Sequence, residues 1–130
     1  MTDYSQADKV KLKLPKTPKL VTFASKGNRP IIEWEYPEFQ CLCPISGRHD
    51  QGVVMIKYLP DKKILESKSV RDYLALWRNV KVWQEYVTEE LASVLYTACK
   101  PEWLVVEIKW SCRGGILAKT YSKHGKYDNI

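Results

Sequence analysis

The chain has 130 residues, of which 45% are hydrophobic, 28% charged and 12% aromatic. That length suits one domain, and the composition excludes a disordered, collagen-like or low-complexity polypeptide. The 21 basic and 15 acidic residues leave a formal charge of +6, too modest to mark a nucleic-acid binder by itself.

Apolar runs are short, as in Trp103-Leu104-Val105-Val106, so no stretch approaches the roughly 20 apolar residues of a membrane-spanning helix. The start is polar and then alternates lysine with apolar residues, unlike a secretory signal, which leads us to expect a cytoplasmic protein. Four cysteines are too few for a disulfide scaffold and are read first for metal binding or catalysis.

In chain order, residues 1–18 form a basic arm in which Pro15 and Pro18 interrupt regular structure. Its lysines (Lys9, Lys11, Lys13, Lys16, with Lys19 beyond) suit either an anionic partner or, more commonly near a terminus, a solvated face. Residues 19–122 read as one domain. Leu20–Phe23 suits a short strand, and Gly27-Asn28-Arg29-Pro30 a turn. Ile31–Tyr36 alternates, with Ile32, Trp34 and Tyr36 opposite Glu33 and Glu35, as a half-buried strand does. Gly52–Tyr58 is a second strand. Between them Pro37–Gln51 shows no clear period and is expected as a long loop, a feature usually tied to function. Leu59–Lys63 reads as a turn.

From Ser67 the period changes. Val70, Tyr73, Leu74 and Trp77 share one helical face, and Trp83, Val87, Leu91, Val94, Leu95 and Ala98 form the stripe of a second helix ended by Lys100-Pro101. Trp103–Trp110 is a strand, Arg113-Gly114-Gly115 a turn, and Ile116–Tyr121 the last strand; residues 123–130 are a polar tail. The order ββααββ predicts an α+β subunit with an antiparallel sheet and two helices on one face. A subunit this small, with apolar residues on both sheet faces, is expected to oligomerise.

Several groups carry chemical potential. Cys41 and Cys43 lie in the long loop with His49 and Asp50 close behind. As a zinc site they supply three ligands at most, and Cys-x-Cys departs from the usual knuckle, so no metal site is assigned. Alternatively Cys43 is a nucleophile with Asp50 as its proton-transfer partner if the loop folds back; taken alone the spacing is a weak signal, and two small buried thiols explain it better. His49 and His124 have no sequence partner, and Cys99 and Cys112 suit packing. In Glu66-Ser67-Lys68-Ser69-Val70-Arg71, Ser67 or Ser69 suits a helix cap. The same helix start, with Lys68 and Arg71 on one face, suits phosphate binding. Arg113 stands beside Gly114, which permits close ligand approach. There is no Gly-x-Gly-x-x-Gly or Walker sequence.

Taken together, Phe39-Gln40-Cys41-Leu42-Cys43-Pro44-Ile45-Ser46-Gly47, Asp50, Glu66-Ser67-Lys68-Ser69-Val70-Arg71-Asp72-Tyr73, Trp77-Arg78-Asn79, Glu85 and Arg113-Gly114-Gly115 occur in an order and spacing that resembles one family. It is the NADPH-dependent 7-cyano-7-deazaguanine reductases of queuosine biosynthesis, of the tunnelling-fold group. The resemblance implies a nitrile reductase that yields 7-aminomethyl-7-deazaguanine with two NADPH. Cys43 matches the nucleophile that forms a covalent thioimide, and Asp50 the acid/base residue. Glu85, with Glu66 and Ser67, matches the substrate-binding positions; Lys68, Ser69, Arg71, Arg113 and Gly114 match positions near NADPH. It further implies subunits paired into a sheet-lined barrel with active sites between them.

The chain departs from the family pattern at Gly47-Arg48-His49-Asp50-Gln51, where Gly-Gln-Pro-Asp-Phe is usual, and at Gln84, where histidine is usual. It also has Arg71 for a lysine and Asp72 for leucine or tyrosine, and it stops soon after Gly115. These departures admit an alternative, an amidine-forming relative that converts the same nitrile within tRNA using ammonia. A third possibility, of a different class, is a non-catalytic base- or nucleic-acid-binding module, expected to weaken steeply with salt.

Overall fold

The computed structural model describes residues 2–126; of the expected polar tail, residues 127–130 lie outside the described residues. Four strands form one antiparallel sheet in the order β2 (Ile32–Leu42), β3 (His49–Leu59), β5 (Trp103–Trp110) and β6 (Lys119–Gly125). A small second sheet pairs β1 (Thr22–Ala24) with β4 (Lys63–Leu65). Two helices, α1 (Ser67–Ala75) and α2 (Gln84–Cys99), pack on one face of the larger sheet. The principal order is ββααββ, as the periodicity predicts.

The core follows from that alternation. Val54, Ile56 and Tyr58 of β3 and Leu104, Val106 and Ile108 of β5 are buried against Val70, Tyr73 and Leu74 of α1 and Val87, Leu91 and Leu95 of α2. Their neighbours Met55, Lys57, Val105 and Glu107 line the opposite, more polar face. Each large aliphatic side chain buried in this way contributes about 1.5–3 kcal/mol.

The stretch expected as a long loop is mostly strand. Pairing shifts between Tyr36↔Val54 and Phe39↔Gly52, so β2 carries an extra residue there, a β-bulge at the exposed Pro37 and Glu38. Proline is tolerated at such a bulge on an edge strand because no ladder hydrogen bond is required of it. The bulge reverses the phase of the alternation. Before it the even residues Trp34 and Tyr36 pack on the core; after it Phe39 and Cys41 are buried. A period-2 reading fails across such a phase change.

Other departures are equally local. Lys63, read as the end of a turn, instead opens β4 with Ile64 and Leu65; three residues are too few to show a period, and the strand exists because Phe23 pairs with Ile64 and the Leu65 N–H donates to the Tyr58 hydroxyl (3.0 Å). The last strand lies later than expected, ending at Gly125, since residues 113–116 close a tight turn and Trp110 N–H already donates to Ala118. Trp83 is the N-cap of α2 and not part of its buried stripe. Lys100, in left-handed conformation before Pro101, ends α2 as anticipated. Leu12 and Leu20 of the arm region pack against the core.

Candidate active site

Three segments meet at one end of the sheet. The first is the turn joining β2 to β3, closed by the Cys43 N–H donating to Arg48 O (2.8 Å) and the Gly47 N–H donating to Cys43 O (3.0 Å). Gly47 adopts φ +71° there, a conformation costly for side chains with a Cβ. The second is the entry to α2. Leu42 N–H donates to Val80 O (2.9 Å) and Val82 N–H to Leu42 O (3.0 Å), which lays residues 80–82 along the end of β2 and delivers Gln84 and Glu85 beside Cys43. The third is the turn after β5, where Gly114 (φ +60°) and Gly115 (φ +87°) give the two left-handed residues of a tight hairpin turn and Arg113 and Ile116 exchange backbone hydrogen bonds.

These segments enclose a cleft of about 590 Å³ lined by Cys43, Asp50, Gln84, Glu85, Arg113 and Gly114, among others. Asp50 stands opposite Cys41 in the β2–β3 ladder; it is 7% exposed and its carboxylate pairs with the Arg113 guanidinium. A buried carboxylate needs such a partner.

The two loop cysteines have opposite environments. Cys41 is fully buried, and burial, reinforced by the Asp50 charge, pushes its thiol up to about 12, so it stays protonated at ordinary pH. Cys43 is half-buried on the cleft wall. Burial opposes its ionisation, but the Ser46 hydroxyl and the Ser46 and Ile45 N–H groups hydrogen-bond its sulfur and outweigh that penalty, holding the thiol below its ordinary value. Hydrogen bonds to the charged form favour it. Ser46→Ala is therefore expected to move the midpoint of the pH profile for Cys43 alkylation by iodoacetamide upward; an unchanged midpoint would remove Ser46 from thiolate stabilisation.

The Glu66–Arg71 segment lies elsewhere. The N-cap of α1 is Glu66, not a serine: its carboxylate accepts from the Lys68 N–H (2.6 Å) and the Ser69 N–H (2.8 Å). Those bonds hold its carboxyl below the usual range. The Ser69 hydroxyl donates to Glu66 O (2.9 Å) and accepts from the Val21 N–H (3.1 Å), tying the residue before β1 to α1. The N–H groups that would otherwise receive a phosphate are thus already occupied. Ser67, Lys68 and Arg71 line a separate cleft of about 400 Å³ with Trp34 and Tyr36. In the single chain, then, Cys43, Asp50, Glu85, Arg113 and Gly114 come together, and Glu66, Ser67, Lys68, Ser69 and Arg71 do not join them.

Four other residues singled out in the sequence lie outside the cleft. His49 is exposed at the start of β3, His124 stacks on Tyr96 (5.3 Å between ring centroids), Cys99 packs in the core as expected, and Cys112 is exposed in this chain. Among the described residues no three His, Cys, Asp or Glu side chains converge as a metal site, and no helix is long and apolar enough to cross a membrane. Sequence reasoning missed Ser46, for which the available signal is a serine three residues after a cysteine in a glycine-ended turn. It also missed Trp83 and Tyr4, which line the cleft and carry no local signal.

Residues 49–129 match the model of a family described as QueF-like protein, a stretch that begins just after Cys43. An NADPH-dependent 7-cyano-7-deazaguanine reductase of Nitrosomonas eutropha is 38% identical over 95 residues, covering 73% of this chain and 68% of the relative. Another, from Anaeromyxobacter sp. strain K, is 36% identical over 109 residues, covering 82% of this chain and 89% of the relative. Among solved structures, an archaeosine synthase QueF-Like in the apo form superposes with a TM-score of 0.66 at 20% identity, over 87% of this chain and all of that one, a likeness of fold.

Proposed function

Because this chain belongs to the QueF family of 7-cyano-7-deazaguanine reductases, of the tunnelling-fold superfamily, we propose that it reduces the nitrile of 7-cyano-7-deazaguanine to the aminomethyl group with two NADPH. The observation that carries the reading is the pairing, in one cleft, of a thiol held below its ordinary value with a buried carboxylate, and of both with the carboxylate of Glu85. A soft thiolate suits an electrophilic nitrile carbon.

In this reading Asp50 takes the Cys43 proton as sulfur attacks. The carbon–sulfur bond forms, one π bond of the nitrile opens onto nitrogen, and Asp50 returns the proton there to give the thioimide. Glu85, placed in the first turn of α2 where a carboxylate is also favoured by the helix dipole, accepts from the N–H groups of the deazaguanine base. We expect Glu85→Ala to weaken binding of the base by about 10–100-fold, the loss of a charged hydrogen bond. Glu90→Ala, on the part of α2 facing Tyr73, should change it less than about twofold. Equal effects in equilibrium dialysis would remove the base-recognition role.

The chemistry of the donor set fits NADPH. Lys68 and Arg71 are exposed cations beside Trp34 and Tyr36, suited to phosphates and an aromatic ring, and Arg113 with Gly114 sits at the cleft. When bound, NADPH supplies the hydrides. Because Lys68 and Arg71 line a different cleft from Cys43, the complete site in this reading joins two subunits. Strands β2 and β6 are the sheet edges, and Ile31, just before β2, and Tyr121 of β6 are each 58% exposed, so we infer a homo-oligomeric barrel closed through these edges, residues 19–122 forming its catalytic unit. Four free cysteines suit a reducing cytoplasm.

The test is intact-mass analysis after mixing with 7-cyano-7-deazaguanine, followed by NADPH. An adduct on Cys43 that disappears as NADPH is oxidised supports the reductase. An adduct indifferent to NADPH but released by ammonia would make the chain an amidine-forming enzyme acting on the same nitrile in nucleic acid. No adduct would leave a binding module.

A further inference from the structure

The cleft has an aromatic wall that comes from outside the domain proper. Tyr4, near the start of the basic arm, lines it together with Cys43, Glu85 and Trp83. Its placement is structured. The Asp3 carboxylate accepts from the Ser5 N–H (2.9 Å), and the Ala7 N–H donates to Tyr4 O (3.1 Å), leading into a 3-10 turn over Ala7–Lys9. Farther along, Leu12 and Leu20 pack on the core, and Pro18 and Leu20 lie beside Val94 and Ala98 in the second half of α2. The arm therefore meets α2 twice, Pro18 and Leu20 at its second half and Tyr4 at its first turn, where Glu85 stands. It is pinned at its far end by the Val21 N–H on Ser69 and the Glu66 N–H on Val21 O (2.8 Å).

We propose that Tyr4 is a substrate-binding residue, the arm carrying its ring over the planar heteroaromatic base whose edge Glu85 holds. This rests on the reading of the cleft as a 7-deazaguanine site. A carboxylate recognises only the edge of a fused bicycle; its faces need apolar or aromatic cover to leave water favourably. Tyr4 is 50% exposed, so ring surface is open for stacking. Trp83, on the cleft wall at the N-cap of α2, supplies a second aromatic surface. The lysines between Tyr4 and Leu20 keep the strap solvated, and Val10 and Leu12 alternate inward between them.

The experiment is equilibrium dialysis of 7-cyano-7-deazaguanine against the full chain carrying Cys43→Ser, which blocks the adduct, compared with the same chain also carrying Tyr4→Ala or Tyr4→Phe. Tyr4→Ala is expected to raise Kd about tenfold, the typical effect of removing one stacked ring, and Tyr4→Phe to stay within about twofold. Equal Kd values for the alanine and parent proteins would overturn the cover while leaving the functional reading intact. Tighter binding by Tyr4→Ala would overturn it in favour of an arm that obstructs the cleft. No binding by the parent protein would overturn the functional reading and the proposal together.

Discussion

Cys43→Ala should abolish the covalent adduct with 7-cyano-7-deazaguanine and lower turnover by at least about 10⁴-fold, as expected when a covalent nucleophile is removed. Cys41→Ala should leave both nearly intact and lower stability by about 1 kcal/mol through the small cavity it opens. The two thiols differ in what surrounds them. Cys41 faces the core among apolar side chains, where burial keeps it protonated. Cys43 follows the last residue of β2, where the chain turns and offers the Ser46 hydroxyl and two N–H groups to sulfur. A thiol held low is reactive above its lowered value and loses reactivity as pH falls through it, so the adduct rate should remain substantial below the range of a free cysteine. Intact mass across pH checks this, and an adduct that survives Cys43→Ala but not Cys41→Ala would reverse the assignment.

Asp50→Asn is expected to slow thioimide formation by about 10²–10⁴-fold, the usual range for losing a positioned acid/base group, with Kd for the base changed only slightly. The amide keeps a carbonyl oxygen for the Arg113 guanidinium but cannot carry the proton from sulfur to nitrogen. Single-turnover adduct formation, read beside equilibrium binding of the base to the Cys43→Ser chain with and without Asp50→Asn, separates the two effects. A large loss of binding with little loss of rate would instead make Asp50 a structural partner of Arg113. Because Arg113 is about one-third exposed, water can solvate its charge in the variant, which limits the cost to folding.

How far these residues were legible in sequence follows from the range of the interactions that place them. Val70, Tyr73, Leu74 and Trp77 reveal α1 and the following 3-10 turn because a buried helical face repeats every three or four residues. Trp103–Trp110 reveals β5 because alternation survives along its whole length. The bulge at Pro37 and Glu38 ends such a pattern within one strand, so the end of β2 and the start of β3 read as loop. The α1 cap is legible as to place but not as to group. Serine at a helix start is a good cap, yet the Glu66 carboxylate reaches two N–H groups and leaves Ser69 to bind Val21, just before β1.

Linked motifs separated Cys43 from Cys41 by resemblance alone; the physical ground for the choice, a core-facing against a cleft-facing thiol, needed the turn geometry. The Asp50–Arg113 pair joins residues 63 apart and the approach of Tyr4 to the cleft spans a comparable distance, contacts that no local period encodes.

The α+β class, the ββααββ order, the two helical faces and the set of residues competent for thiol–carboxylate chemistry are written in the order of residues along the chain. Those properties reside in side-chain type and short-range spacing, which act on a chain before it folds. Folding selected which of those residues meet. It brought Cys43, Asp50, Glu85 and Arg113 into one cleft, left Lys68 and Arg71 in another, and laid Tyr4 against the first. Sheet pairing and helix packing set these distances, and they arise from burying apolar faces far apart in the chain.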